Sequence, residues 1–399
     1  MTGAILTLNA GSSSLKFAVF TGAETLTVMI SGKIAGIGTA PRFAAKDADG
    51  HELDAGGLAQ LAATSGHDAV IALLLPWLSQ HLGDQRLAAV GHRVVHGGRF
   101  FSGPVRVTDP VLADLQTLAP LAPLHQPHNL AAIRAVSKWR PDMPQIACFD
   151  TSFHRTQSRV AELFALPRAL SDEGVIRYGF HGLSYDYIAS ALPAHLGDQA
   201  QGRVIVAHLG NGASMCAMRD GKSVATCMGF TALDGLMMGN RCGALDPGVV
   251  LYLMQAKGMD AVAIEDLLYR QSGLMGVSGI SSDMQVLQDS THPHAAEAID
   301  LFAYRAASIL AGLVPAIGGL DAMVFTAGIG ENSGLIRRLI CDRLAWLGIT
   351  LDSAANDANA ERISPPDARP VVLVLPTNEE AVVAKACRHL MQQGQQPAD

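Results

Sequence analysis

Two stretches half a chain length apart in this 399-residue sequence share one pattern: ILTLNAGSSSLKFAVF from Ile5 and VIVAHLGNGASMCAMRDG from Val204. In each, an apolar β-branched run leads into a turn of Gly, Asn and Ser, and a second apolar run follows. A chain that writes the same hairpin twice at this spacing is expected to be a duplicated domain with a cleft between the copies. Length agrees, because roughly 150 residues per domain makes the chain too long for one ordinary core. Chance likeness between two Gly-rich hairpins is the alternative that the echo by itself leaves open.

Strands are expected at Ile5–Leu8, Phe17–Phe20, Ala89–Val95, Gln145–Phe149, Val204–His208, Met323–Thr326 and Val371–Leu375, separated by segments with helical spacing. That alternation implies an α/β fold. A helix over Asp109–Leu118 stops before Pro120, and a second one, capped by Asn129, stops near Pro141. The stretch APLAPLHQPHN between them is expected to be an ordered loop. Ala44–Ser65, polar and Gly-rich, reads as a hairpin or surface excursion.

Composition narrows the function. Lys+Arg 29 against Asp+Glu 36 gives a net charge of -7 with no basic stripe, which argues against nucleic acid and acidic membrane surfaces as partners. Charged residues make up 16% and hydrophobic ones 49% of the chain, against a typical charged share of about 25%, so large cores or a subunit interface are expected. The six cysteines follow no CxxC or framework spacing and are expected to be reduced and mostly buried. The N-terminus lacks signal-peptide character. The uncharged stretch Ala306–Leu320, interrupted by Pro315, Gly318 and Gly319, is too short to span a bilayer. A soluble cytoplasmic protein is the expectation.

Three Gly-rich turns carry candidate chemistry. Asn9-Ala-Gly-Ser-Ser-Ser-Leu-Lys16 offers backbone N–H groups together with Ser12, Ser13, Ser14 and Lys16 to an anion; a strand follows it, so it is not a GxxxxGK[ST] loop. Its alternative is a plain hairpin turn. His208-Leu-Gly-Asn-Gly212 with Ser214 makes the second turn, and Gly328-Ile-Gly-Glu-Asn332 before a helix near Ser333 makes the third. The third also imitates a dinucleotide fingerprint, GxGxxxG through Gly334 with Asp352 ending a candidate strand, but the spacing is loose and the other two turns stay unexplained.

Arg93 in GHRVVHGG and Arg241 in GNRCGALDPG are fork-shaped donors in Gly-flanked segments, suited to a carboxylate or phosphate; structural ion pairs are the alternative. Asp150 ends the strand QIACFD, at the carboxyl edge where a sheet faces a crevice. His181 is held among glycines and aromatics in RYGFHGLSYDY. His92 with His96, and His125 with His128, raise a zinc site, disfavoured because HRVVHGG reads as strand and no HExxH glutamate is present. Glu379 is a candidate metal ligand, while Glu380 suits the first turn of a helix.

The motifs LNAGSSSLKF, HRVVHGG, FDTSFH, YGFHGLSYDY, HLGNGAS, MMGNRCG, SGISSDM, GIGENS and LPTNEE, spread in order from residue 4 to about 385, closely resemble those of the acetate kinase family. The resemblance implies duplicated βββαβαβα domains of the actin, Hsp70 and sugar-kinase type around a nucleotide cleft, usually as a homodimer. It implies residues 1–150 plus about 380–399 as an acyl and metal-side domain, and 151–379 as a nucleotide-binding and dimerisation domain. The implied reaction is Mg²⁺-dependent phosphoryl transfer between ATP and acetate, giving ADP and acetyl phosphate, with Mn²⁺ able to replace Mg²⁺.

Position by position, the resemblance places Asn9 and Glu379 on the metal, and Ser12, Lys16 and His208, Leu209, Gly210, Asn211 and Gly212 at the phosphates. Asp283, Met284 and Gln285, with Gly328, Ile329, Gly330, Glu331 and Asn332, would hold the adenosine. Arg93 would bind the acyl carboxylate in a pocket of Val95, Leu124, Phe180 and Ala232, and His181 and Arg241 would stabilise the phosphoryl group. Because acetate is already ionised at pH 7, Asp150 is expected to orient Arg93 or a metal-bound water, with a role as proton acceptor the family's alternative. Two departures stand out: Gln285 where the family commonly has Arg, and Phe230-Thr-Ala-Leu-Asp-Gly235 where it commonly has FTPLEG. A propionate or short-chain acyl kinase, and a non-catalytic nucleotide-gated binding protein, are the rival readings.

Overall fold

The structure, a computed structural model, describes residues 3–22 and 25–393. The chain divides into two compact units, Met1–Phe153 with Asn378–Asp399, and His154–Thr377. Strands run in chain order as β1 (Ala4–Ala10), β2 (Ser14–Thr21), β3 (Thr27–Ala35), β4 (Arg42–Asp47), β5 (Leu87–Val94), β6 (Val105–Arg106), β7 (Gln145–Phe149), β8 (Val204–Leu209), β9 (Ala213–Arg219), β10 (Lys222–Thr226), β11 (Ala322–Thr326) and β12 (Val371–Val374).

Unit 1 carries a sheet of order β4-β3-β2-β1-β5-β7-β6, and unit 2 one of order β10-β9-β8-β11-β12. Both sheets have one plan. In each, an antiparallel hairpin (β1–β2, β8–β9) carries a third antiparallel strand on its outer side, and two parallel strands extend the sheet beyond its first strand. The echo in the sequence is thus the leading hairpin of a duplicated fold. The parallel strands β7, β8, β11 and β12 are buried along their whole length, as a sheet covered on both faces requires. The outer strands β3, β4 and β10 mix covered and exposed positions.

In unit 1, Leu6, Leu8 and Val90 join Leu74, Leu78, Ala132 and Val136 in one core, so helices His67–His81 and Gln126–Trp139 cover that face. Gly91, one residue on from Val90, points to the opposite face. A Cβ there would stand 2.4 Å from Val383 Cγ1 and 2.6 Å from Cys387 Sγ, so a glycine is what lets helix Glu379–Gln393 lie flat on the sheet. In unit 2 the helix Pro293–Ile317 plays the covering part, burying Ala295, Ala298, Phe302, Ala306, Leu310 and Leu313 against β8, β9 and β10.

Four local expectations change. The helix expected to start at Asn129 begins at Gln126 with His125 at its cap, since Pro127 is tolerated in a first turn. Asn129 is buried within it, its Oδ1 accepting from Val95 N at 2.9 Å and its Nδ2 donating to Ala10 O at 2.7 Å. The third Gly-rich turn is itself a short helix, Ala327–Asn332, and Ser333 caps the next one, Gly334–Arg343. Asp352 ends no strand: it caps helix Ser353–Asp357, accepting from Ala355 N at 3.0 Å, which removes the acid a dinucleotide site needs. Pro315 does not interrupt the apolar stretch, because helix Pro293–Ile317 continues through it and, by length and composition, is long and apolar enough to cross a membrane. Its buried alanine and leucine stripe shows instead how unit 2 uses that apolarity.

Candidate active site

In unit 1 the parallel pairing of β1 with β5 sets Leu8 beside His92, which brings the next residues, Asn9 and Arg93, to one edge of the sheet. Arg93 Nε and Nη2 donate to Asp150 Oδ1 and Oδ2 at 2.9 and 2.6 Å, Nη1 donates to Asn9 Oδ1 at 3.1 Å, and Glu379 Oε2 lies 3.4 Å from Nε. Burial disfavours the charged guanidinium, but Asp150 and Glu379 more than offset this and hold its pKa above the ordinary range. Glu379 is turned to Arg93 because Asn378 does the capping, its Oδ1 accepting from Ala381 N at 2.9 Å. Nothing in the sequence reading singled out Asn378.

The β1–β2 turn sets Lys16 opposite Asn9 and exposes Ser12, Ser13 and Lys16. It is propped from below by His67, whose Nε2 is 2.7 Å from Gly11 O. Val95 is buried just past β5 and Leu124 is half-buried ahead of helix Gln126–Trp139. The paired histidines do other work. His92 Nε2 bonds Gln145 Oε1 at 2.8 Å and His96 Nδ1 accepts from Gly98 N at 2.9 Å, and burial pushes both pKa values down to about 4.

In unit 2 the β8–β9 turn is Gly210-Asn211-Gly212, and two side chains converge on it. A Cβ built on Gly212 would stand 3.0 Å from Arg241 Nη2 and 3.4 Å from His181 Nε2. Arg241 is aimed by Ala232, whose carbonyl accepts from Nη1 at 2.6 Å. Its loop is braced by a Met238 N to Arg241 O bond at 3.1 Å and pressed onto the turn at Gly239, where a Cβ would collide with Asn211 Oδ1 at 1.9 Å. His181 stacks on His208, ring centroids 4.3 Å apart. Their Nδ1 atoms meet Ser214 Oγ and Ser184 Oγ, each at 2.8 Å. Phe180 is buried next to His181, its carbonyl 3.0 Å from His154 Nε2.

Beside this turn opens a cavity of about 470 Å³ lined by Gly210, Asn211, Asp283, Gln285, Gly328 and Asn332, among others. Met284 and Ile329 also face it. Two residues expected there stand back. Gly330 is buried, and Glu331 Oε1 accepts from Ala327 N at 2.8 Å and Thr377 N at 3.3 Å, tying the short helix to the end of the unit. Leu209 is core. Behind the helix, fully buried Arg337 spends its five N–H groups on Gly330 O, Glu331 O, Asn356 O, Asn356 Oδ1 and Asn359 Oδ1. The sequence reading missed Arg337, along with Gln288 and Ser333, which also line the cavity.

A sequence profile of the Acetokinase family matches residues 4–385. The chain belongs to the acetokinase family. It is 54% identical over 392 residues to an acetate kinase of Rhodopseudomonas palustris, covering 96% of this chain and 98% of that one. An acetate kinase of Rhizobium meliloti is 50% identical over 389 residues, with 96% and 97% covered. Among solved structures, a propionate kinase from Francisella tularensis superposes with a TM-score of 0.89 at 35% identity, covering 96% of this chain and 98% of that one. Porphyromonas gingivalis acetate kinase superposes with 0.85 at 34% identity, covering 98% and 100%. Acetokinases have the duplicated actin-like ATPase fold, and the paired strand orders of units 1 and 2 are that duplication.

Proposed function

We propose that this protein is an acetate kinase, transferring a phosphoryl group reversibly between ATP and acetate to give ADP and acetyl phosphate. The observation that carries the reading is the convergence of Arg241 Nη2 and His181 Nε2 on the Gly212 turn next to a nucleotide-sized cavity. Identity of 54% to a curated acetate kinase supports it.

Acetate, with a pKa close to the ~4.3 of glutamate, is ionised at pH 7, so the attacking oxygen has no proton to lose. What must be overcome is the approach of two anions. Arg93 binds the acyl carboxylate beside Val95 and Leu124. Arg241 and His181 bear the charge that develops on the phosphoryl oxygens. Asp150, already engaged at both oxygens by Arg93, positions that guanidinium. Lys16, Ser12 and His208–Gly212 take the remaining phosphates, and the cavity at Asp283–Gln285 takes the adenosine.

Asn9 and Glu379 bring two hard oxygen donors together at Arg93, of the kind that Mg²⁺ or Mn²⁺ takes. Asn9 and Glu379 would hold the ion, which when bound supplies charge neutralisation to the phosphates. We further assign a homodimer formed through unit 2: helix Pro247–Lys257 buries none of its side chains, although Leu251, Tyr252 and Met254 are each about half exposed or more. None of the six cysteines is in a disulfide, consistent with the cytoplasm, and the net charge of -7 with no basic stripe supports neither a nucleic-acid nor a membrane partner.

ADP formation that depends on added acetate, measured in a coupled assay, tests the proposal; nucleotide hydrolysis indifferent to acetate would instead favour the nucleotide-gated binding protein. One observation favours a second substrate. The propionate kinase structure superposes closely, and Ala232 replaces a bulkier proline, leaving room for part of a methylene worth about 0.8 kcal/mol when buried. Acetate is expected to remain the better substrate, with propionate within roughly tenfold in kcat/KM, and Ala232→Pro should widen that gap.

A further inference from the structure

Inside unit 2 a chain of hydroxyls runs away from the phosphate turn. Ser214, at the second position of β9, lies opposite His208 in the hairpin register and is fully buried. Its Oγ is 2.8 Å from His181 Nδ1 and is also hydrogen-bonded to the hydroxyl of Tyr185. Tyr185 is fully buried too, one helical turn after His181 in helix Gly182–Leu196.

We propose that Ser214, backed by Tyr185, is a positioning residue that holds His181 as the Nε2–H tautomer and so makes it a hydrogen-bond donor toward the transferring phosphoryl group. The argument is one of proton supply. A phenol donates more readily than an aliphatic hydroxyl, and the Tyr185 phenol keeps its proton because burial raises its pKa well above 10. When it donates to Ser214, the seryl proton is directed onward to His181 Nδ1, which becomes the acceptor. The imidazole proton then sits on Nε2, the nitrogen that faces Gly212 beside Arg241 Nη2. A neutral donor is also what the surroundings favour, since a second positive charge there would repel Arg241.

The backbone supports a functional reading of this arrangement. His181 adopts a left-handed conformation, φ 58°, at the cap of its helix, and its side chain makes no capping bond. A strained non-glycine residue of this kind is retained where the surroundings over-determine it. Ser214 on one side and the stacked His208 ring on the other do so here. His208, whose Nδ1 is held by a different serine, Ser184, provides an internal reference.

The inference rests on the kinase reading for its effect on turnover, but the tautomer can be read without substrate. In the full chain labelled with ¹⁵N-histidine, assigned with His181→Gln and His208→Gln, long-range ¹H–¹⁵N spectra should show His181 as Nε2–H. Ser214→Ala should spread it over both tautomers while the His208 signals stay in place. In acetate-dependent turnover Ser214→Ala should lower kcat about tenfold with little change in KM for either substrate, Tyr185→Phe should do the same more weakly, and Ser214→Thr should restore activity. Should Ser214→Ala fold poorly, Tyr185→Phe, which removes one oxygen, carries the test. An Nδ1–H tautomer in the wild type, or a tautomer unmoved in both Ser214→Ala and Tyr185→Phe, overturns the proposal. A wild type without acetate-dependent turnover counts against the kinase reading and leaves an observed Nε2–H tautomer in support of the positioning role.

Discussion

The two hairpins that open the two units have one topology and opposite surroundings. The β1–β2 turn is exposed, carries serines and a lysine of its own, and stands near a guanidinium that is clamped by carboxylates, Asp150 and Glu379. The β8–β9 turn is made of glycines around Asn211, has no cation of its own, and is met by Arg241, which donates to the Ala232 carbonyl, and by His181, which meets the Ser214 hydroxyl. Duplication therefore kept the scaffold and let the electrostatics diverge. A carboxylate-clamped arginine is fixed in place and suited to binding, and one aimed at a turn through a backbone carbonyl is placed to meet a developing anion.

The sharpest way to break this contrast is to remove each arginine. Arg241→Ala should lower kcat by about 10²–10⁴-fold, while Arg93→Ala should mainly raise the KM for acetate; steady-state kinetics in which both variants change the same constant to the same degree would end the division of labour. A gentler pair adds one methyl to each turn. In Gly212→Ala the Cβ enters the space shared by Arg241 and His181, which must give way by a few tenths of an ångström, and kcat/KM should fall by less than the ~10²-fold that a 1 Å misplacement costs. The Cβ of Gly11→Ala meets only Ser14, at 3.5 Å, and should leave the kinetics near native.

Acid should also separate the units. His92 and His96 in unit 1 and His154 in unit 2 each titrate near 6.5 when unfolded and are pushed to about 4 by burial. The unfolded chain therefore takes up protons first as the pH falls below 6.5. Stability is fully present above that value and declines toward pH 4, by roughly 3 kcal/mol per histidine when titration is complete. Urea unfolding at pH 7 and pH 5, followed by tryptophan fluorescence that Trp77 and Trp139 report for unit 1 and Trp346 for unit 2, should show the larger loss in unit 1; equal losses would contradict the pairing of two histidines with that unit. The smallest effect is expected at the nucleotide. Gln285, which now donates to Asp289 at 3.1 and 3.2 Å, gains a cation in Gln285→Arg, and the ATP KM should fall by the several-fold that about 1 kcal/mol of stacking provides. An unchanged ATP/GTP ratio would show that position 285 does not read the base.

What the sequence made legible follows burial. The seven strands expected from apolar runs, β1, β2, β5, β7, β8, β11 and β12, lie within a few residues of their observed ends, and β9 answers to the second run of the repeated hairpin. Strands β3, β4 and β10 were not expected, because TVMISGKIA, RFAAKD and KSVAT are partly exposed and mix charges or glycine with apolar residues. In the site, Arg93 and Arg241 stood out through the glycines around them. Arg337 did not, because it sits on an ordinary amphipathic helix and its partners are carbonyls and amides 6 to 22 positions away. Tyr185 and Ser214 lay inside recognisable motifs, but a hydroxyl chain between a helix and a strand leaves no spacing signature.

Gly91 and the helix it accommodates have a consequence for how the molecule is made. A ribosome releases the β1–β7 sheet first, yet one face of that sheet stays bare until residues 379–393, which end the described chain, emerge to cover it. Unit 2, continuous from His154 to Thr377, has its whole sequence outside before then. Folding by whole units during synthesis ordinarily proceeds from the N-terminus, and in this chain the order is reversed: the half translated first is the half finished last, and the residue that delivers Glu379 to Arg93 arrives with the segment that completes it.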